Sequence, residues 1–290
     1  MKKIKRKHRH SYRLITLILI VIDILAIIQV ISLSIATFNT IPEQNQTTNK
    51  EESKNEISPQ ETIENNIQEN DSITPELEQP IQEESPNNPT YTLETMPLTY
   101  QLDVPIISQY PELPTGCEIT SLTILLNYLG YNIDKTTLAK NYLNYTYSTS
   151  ITFSDAFIGS PFNNDGYGCF APVIEKAAKK YLTSINSNYN VQNKTGTELE
   201  NLLVEVANQH PIIVWTSMSL VDIHNKLVWT LSDGTKVYWP ENEHVVVISG
   251  YNLENQTITV IDPMKGKGDY PLNRFQKIYN DMGKQAISIQ

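Results

Sequence analysis

The sequence predicts an α+β domain over roughly its last two-thirds, carried behind an apolar N-terminal segment and a polar spacer. Three observations point there. Composition changes abruptly near residue 99, apolar residues at helical spacing dominate the first half of the stretch from there to residue 290, and two strand-turn-strand patterns stand near its end.

Charge supports the same division. The 290 residues carry 22 Lys and Arg against 32 Asp and Glu, a formal charge of −10. By segment this is +6 over residues 1–38, −11 over 39–100 and −5 over 101–290. Neither acidic region resembles a nucleic-acid surface, so no nucleic-acid partner is expected. Two cysteines, Cys117 and Cys169, cannot make a disulfide framework or a four-thiolate zinc site.

Residues 1–13 hold seven basic side chains, and residues 14–38 form an apolar run interrupted by Asp23 and Gln29. A helix of about 20 residues crosses a bilayer core. A mid-membrane carboxyl costs about 3 kcal/mol on insertion scales, which a run this rich in Ile and Leu absorbs. The segment is expected to be a transmembrane anchor with its basic flank in the cytoplasm and the remainder of the chain outside the cell. The rival is a cleaved signal peptide, because Ser34 and Ala36 form a small-x-small site, and it would make the protein secreted. Residues 39–98 are crowded with Glu, Gln, Asn, Ser and Thr and contain seven prolines. Such a stretch buries too little apolar surface to offset ordering entropy, which predicts a disordered acidic linker.

The working domain is expected over residues 99–290. Leu102, Val104, Ile106 and Ile107 suggest an opening strand, ended by Pro111, Pro114 and Gly116. After Cys117, the positions Ile119, Leu122, Leu125, Leu126 and Leu129 predict an amphipathic helix that Gly130 stops. Cys117 then lies in the first turn, where free N–H groups and the macrodipole favour thiolate. Residues 171–181 and 197–208 read as two further helices, and 212–215 as a strand. A turn at Ser232-Asp233-Gly234 predicts one hairpin. A second joins the run opened by His244 to the run ended by Asp262. With a turn near Leu253 and Glu254, pairing partners sum to about 508. Asp262 then falls opposite Val246, on the His244 face, and a slip of one residue would send it to the other face.

A thiol, an imidazole and a carboxylate in this order suit nucleophilic catalysis. The ring takes the thiol proton and the carboxylate orients the ring. The Cys117 backbone N–H and the Gln109 amide are candidate oxyanion donors. Cys169, in a Gly-Tyr-Gly-Cys-Phe loop, reads as structural, and a Cys117–Cys169 disulfide would silence the nucleophile. Glu118 reads as a charge partner of the helix N-terminus, and Trp215, Trp229 and Trp239 as core or cleft wall. No metal-ligand spacing is present, and no cofactor is expected.

The string running from Val104 through Gln109 to Gly116-Cys117-Glu118 resembles the C39-like cysteine peptidases of Gram-positive bacteria, within the papain-like superfamily. So do Gly166-Tyr167-Gly168 with Ala171-Pro172, His244 with Gly250-Tyr251, and Asp262-Pro263. The likeness spans about residues 101–285. It implies a papain-like fold with a cleft, a triad of Cys117, His244 and Asp262, and Gln109 as the oxyanion residue. The eight-residue step from Gln109 to Cys117 is longer than is usual in papain-like enzymes, the excess fitting Pro111 to Pro114. Clan members that cut leader peptides after paired glycines are domains of exporters, and this chain has neither a P-loop nor transporter spans. The expected activity is therefore an extracytoplasmic, membrane-anchored cysteine peptidase acting on peptide or protein substrates. Alternatives are a cell-wall peptide amidase or transpeptidase, which an exported site would suit, and a catalytically idle binding module at the envelope.

Overall fold

The structure, a computed structural model, describes residues 90–290. The expected anchor over residues 14–38 lies outside them, as does the linker as far as residue 89. Among the described residues no helix is long and apolar enough to cross a membrane.

Helix and sheet are mixed. The first strand, β1 (Thr99–Gln101), precedes helix α1 (Cys117–Tyr128) and helix α2 (Lys135–Asn141). Two short strands, β2 (Tyr145–Thr146) and β3 (Phe157–Ile158), pair in parallel. Helix α3 (Ala171–Ser184), strand β4 (Val191–Asn193), helix α4 (Leu199–Ala207) and strand β5 (Ile212–Ser217) come next. The hairpin of β6 (Asn225–Thr230) and β7 (Lys236–Pro240) stands apart from the main sheet. The chain closes with β8 (Glu243–Asn252), β9 (Thr257–Asp262), β10 (Gly266–Pro271), α5 (Leu272–Asp281) and β11 (Ala286–Ile289).

One seven-stranded sheet organises these elements in the order β10-β9-β8-β5-β11-β4, with β1 added to β8. Every pairing in it is antiparallel. The Val- and Ile-rich β5 and β8 are buried at both odd and even positions, so both sheet faces are covered there. Helix α1 packs on β8 and β5, α4 on β8 and β1, and α5 on β5, β9 and β10.

Helix α1 departs from the amphipathic expectation. Residues Cys117 through Leu126 are all buried, because α2, α3 and the sheet surround the helix. Its side chains Ile119, Leu122, Ile124, Leu125 and Leu126 are fully enclosed, each contributing about 1.5–3 kcal/mol by burial. It ends where Gly130 was expected to stop it, through bonds from Gly130 N–H to Asn127 O (3.1 Å) and from Tyr131 N–H to Leu126 O (3.0 Å).

The opening strand is also displaced. Pairing with β8 is made by Thr99–Gln101, and residues 102–107 run on without a ladder, although Leu102 and Val104 are buried. The chain is tied to the domain before Thr99, within the stretch given to the linker. Tyr91 N–H donates to Asn208 Oδ1 (2.7 Å), and the Tyr251 hydroxyl donates to Pro97 O (3.0 Å).

Candidate active site

The hairpin of β8 and β9 brings His244 and Asp262 together. Near the site its pairs are Val247 with Ile261 and Ile248 with Val260, which places Asp262 on the His244 face. Toward the turn the register differs, with Gly250 opposite Thr259 and Asn252 opposite Thr257. Ser249 is the extra residue, a bulge that changes the pairing sum from 509 at the tip to 508 at the site. Without it, the tip register would carry Asp262 opposite Val247 and onto the wrong face. Strand β1 holds the bulge. Leu102 N–H donates to Ser249 O (2.8 Å) and Gln101 Nε2 donates to the same oxygen (3.0 Å). Position 250 must be glycine for this approach, since a Cβ there would lie 2.5 Å from Gln101 Oε1 and 2.7 Å from Tyr100 O.

His244 Nε2 and Asp262 Oδ1 are 2.7 Å apart, and both side chains are almost fully buried. The same Oδ1 accepts the Met264 N–H at 2.7 Å. Burial works against a charged Asp262, but the hydrogen bond and charge of His244 and the Met264 N–H prevail, and the carboxyl is held below its ordinary value. With Nε2 committed to the carboxylate, Nδ1 is the ring nitrogen left for a proton from elsewhere.

Gln109 is anchored to the turn after Asp262. Its N–H donates to Pro263 O (2.9 Å), its carbonyl accepts the Leu113 N–H (2.9 Å), and its Nε2 donates to Pro114 O (2.8 Å). Its Oε1 is buried with no hydrogen-bond partner among the described residues. The Pro111 to Pro114 insertion thus forms a loop folded back on Gln109. Lys135, at the start of α2, ties that loop down through Glu112 (2.7 Å) and Tyr110 O (3.2 Å).

Cys117 opens α1 against the first residues of β8, where Ser121 Oγ donates to Val245 O (3.2 Å). The thiol does not have the environment expected from its helix position. It donates toward Glu118 Oε2 (3.4 Å) and Glu243 Oε2 (3.9 Å), two carboxyl groups that are themselves buried. Burial, then Glu118 and Glu243, push the thiol well above its ordinary range, against a smaller opposing effect of the Val245 backbone. The helix-terminus argument for thiolate is therefore overridden in this arrangement.

Glu118 is fully enclosed, and burial pushes its carboxyl up to about 7. Its Oε1 accepts the Cys169 N–H at 2.8 Å, so it joins α1 to the loop ahead of α3 as well as facing the helix terminus. Glu243 is raised well above its ordinary value by burial and then by Glu118. Sequence reasoning did not single out Glu243. Its signal was its place immediately before His244. Cys169 is fully buried, Trp215 Nε1 donates to its carbonyl (2.8 Å), and both cysteines are free thiols.

Cys117, His244 and Gln109 line one cleft of about 380 Å³, together with Glu243, Tyr167, Trp239, Met218 and Met264. Its aromatic wall comes from β7, where Trp239 packs on Phe153 with ring centroids 4.2 Å apart. Of the three tryptophans, Trp215 is core, Trp239 lines the cleft, and Trp229 stacks behind it on Phe153 at 5.1 Å. A larger hollow of about 540 Å³ around Tyr91, Asn208 and His210 contains none of these groups.

The model of the Peptidase C39 like family matches residues 101–287. The uncharacterised protein YvpB of Bacillus subtilis (strain 168) is 31% identical over 196 residues, covering 65% of this chain and 75% of that one. A crystal structure assigned to the C39-like peptidases, from Bacillus anthracis, superposes with a TM-score of 0.59 at 29% identity. It covers 66% of this chain and 97% of its own.

Proposed function

The chain belongs to the Peptidase C39 like family and is a cysteine peptidase, and from that premise we propose that Cys117, His244 and Asp262 are its catalytic triad. The observation that carries this is the 2.7 Å bond to Asp262 made by His244, which lines the same cleft as Cys117 and Gln109.

In this reading the thiol turns from the carboxyl groups toward His244 Nδ1, which takes its proton as the sulfur attacks the substrate carbonyl. The charge developing on the carbonyl oxygen meets the Cys117 backbone N–H and the Gln109 amide. Gln109 suits the task because Pro114 O occupies only one of its two amide hydrogens. The protonated ring then gives its proton to the leaving amine, and water releases the acyl group by the same path in reverse.

The proposed substrates are peptides or proteins outside the membrane. That part of the reading rests on the basic flank and apolar run of residues 1–38. Cell-wall peptides are included, since a tethered site there meets them first.

The test is a thiol-directed activity probe applied to the full chain and to Cys117→Ala. Labelling of the wild type alone is the expected result. Equal labelling of both proteins refutes the assignment of the nucleophile.

A further inference from the structure

Beside the cleft wall made by Cys117 and Glu243, the enclosed Glu118 joins them, so that a thiol and two carboxyl groups meet. Cys117 Sγ stands 3.4 Å from Glu118 Oε2 and 3.9 Å from Glu243 Oε2, and one donor atom from each residue lies within 4.8 Å of the others. Neither glutamate makes a salt bridge among the described residues, and no Lys or Arg lines the cleft. The sequence showed no metal-ligand spacing because Glu243 arrives from 126 residues beyond Cys117.

A second observation points to an occupant. Glu243 is 6% exposed, lines the cleft, and has its Oε1 buried without a hydrogen-bond partner among the described residues. Leaving a buried acceptor unpaired costs about 1–3 kcal/mol. The Gln109 Oε1, 2% exposed in the same cleft, is unpaired as well. The proposed mechanism uses neither acceptor.

We infer that Cys117, Glu118 and Glu243 form a binding site for a thiophilic divalent cation of the zinc class, and that its occupancy switches the nucleophile off. The spacing suits the ion. With Zn–S of about 2.3 Å and Zn–O of about 2.0–2.2 Å, a tetrahedral centre sets sulfur and oxygen about 3.5–3.7 Å apart. The two observed separations bracket that figure. A thiolate in the donor set favours zinc over magnesium or calcium, which take oxygen ligands.

Binding needs no redox partner. The thiol proton, and any proton on the carboxyl groups, passes to solvent as the metal–sulfur and metal–oxygen bonds form. The sulfur lone pair that would attack a carbonyl is then engaged by the metal. Cation binding stands independently of the catalytic reading, whereas the switch rests on Cys117 being the nucleophile.

The experiment titrates reduced full-length protein with Co²⁺, whose bond to thiolate gives a near-ultraviolet charge-transfer band, and then displaces it with Zn²⁺. The band is expected in wild type and in Cys169→Ser, and is expected to vanish in Cys117→Ser. Glu243→Gln is expected to weaken Zn²⁺ binding at least tenfold. Glu241→Gln, at a side chain paired to Lys226 at the cleft rim, is expected to leave binding unchanged. A band that persists in Cys117→Ser, or Zn²⁺ affinity unaltered by Glu243→Gln, overturns the site. Both substitutions are nearly isosteric, so the test does not depend on Glu118, which also holds the Cys169 loop. If Zn²⁺ binds in this pattern but peptide hydrolysis continues at saturating metal, the switch and the nucleophile assignment fail while the site stands. If Zn²⁺ fails to bind while Cys117→Ala abolishes hydrolysis, the site fails and the catalytic reading stands.

Discussion

Replacing Asp262 by asparagine tests how the carboxylate serves the histidine. In the structure one oxygen, Oδ1, accepts from both His244 Nε2 and the Met264 N–H. An amide NH₂ in that place would face a backbone donor, so the asparagine oxygen must take the Oδ1 position. The ring thus keeps its orientation and tautomer, and only the charge is lost. A hydrogen bond to a charged group contributes about 1.5–3 kcal/mol and a neutral one about 0.5–1.5 kcal/mol. The difference, about 1–2 kcal/mol, corresponds to roughly 5- to 30-fold in rate. Asp262→Ala removes the orienting oxygen as well, and its loss is expected to exceed a hundredfold. The measurement is the second-order rate of Cys117 alkylation by iodoacetamide, with kcat/KM on a peptide substrate alongside. An Asn variant as fast as wild type would refute the pairing as functional. A loss beyond about a thousandfold would refute the tautomer argument, because a wrong tautomer costs far more than a missing charge.

The same carboxylate makes stability depend on acid. Held below its ordinary 3.8 when folded, Asp262 binds its proton more readily in the unfolded chain, so its contribution is present above that value and fades as pH falls through the folded one. Wild type is expected to lose more stability than Asp262→Asn as pH falls below about 4 in urea titrations, and parallel profiles would exclude the linkage. Gly168→Ala is expected to destabilise by at least 2 kcal/mol or so. Gly168 has φ of +142°, and a Cβ would stand 2.5 Å from Glu118 Oε1 and 2.7 Å from Trp239 Cη2. Thermal unfolding would show this, and an unchanged melting temperature would mean the loop yields freely.

What the sequence made legible came from periodicity. Ile119, Leu122, Leu125, Leu126 and Leu129 placed α1, and the valine run after His244 placed β8. The all-round burial of α1 could not be read, because it depends on α2 and α3 closing over polar positions such as Thr120 and Thr123. Helix α2 went unread although its N-cap signal was present, with Asp134 accepting the Thr136 and Thr137 N–H groups. Strand β10, with the sequence Gly-Lys-Gly-Asp-Tyr-Pro, has little strand propensity and is extended because β9 pairs with it. Helix α5 went unread too, although Phe275, Ile278, Tyr279 and Met282 carry a helical pattern. The meeting of Glu118 with Glu243 has no local signature, since it is made by α1 crossing the start of β8.

The Ser249 bulge gives the two ends of one hairpin different masters. Its distal half answers to β1 and its proximal half to β5, which pairs with β8 from Ile248 down to Glu243. Lengthening or trimming the tip between Asn252 and Thr257 therefore leaves the alignment of His244 with Asp262 untouched. A residue lost between Val260 and Asp262 would instead reverse the face of the aspartate and part it from His244.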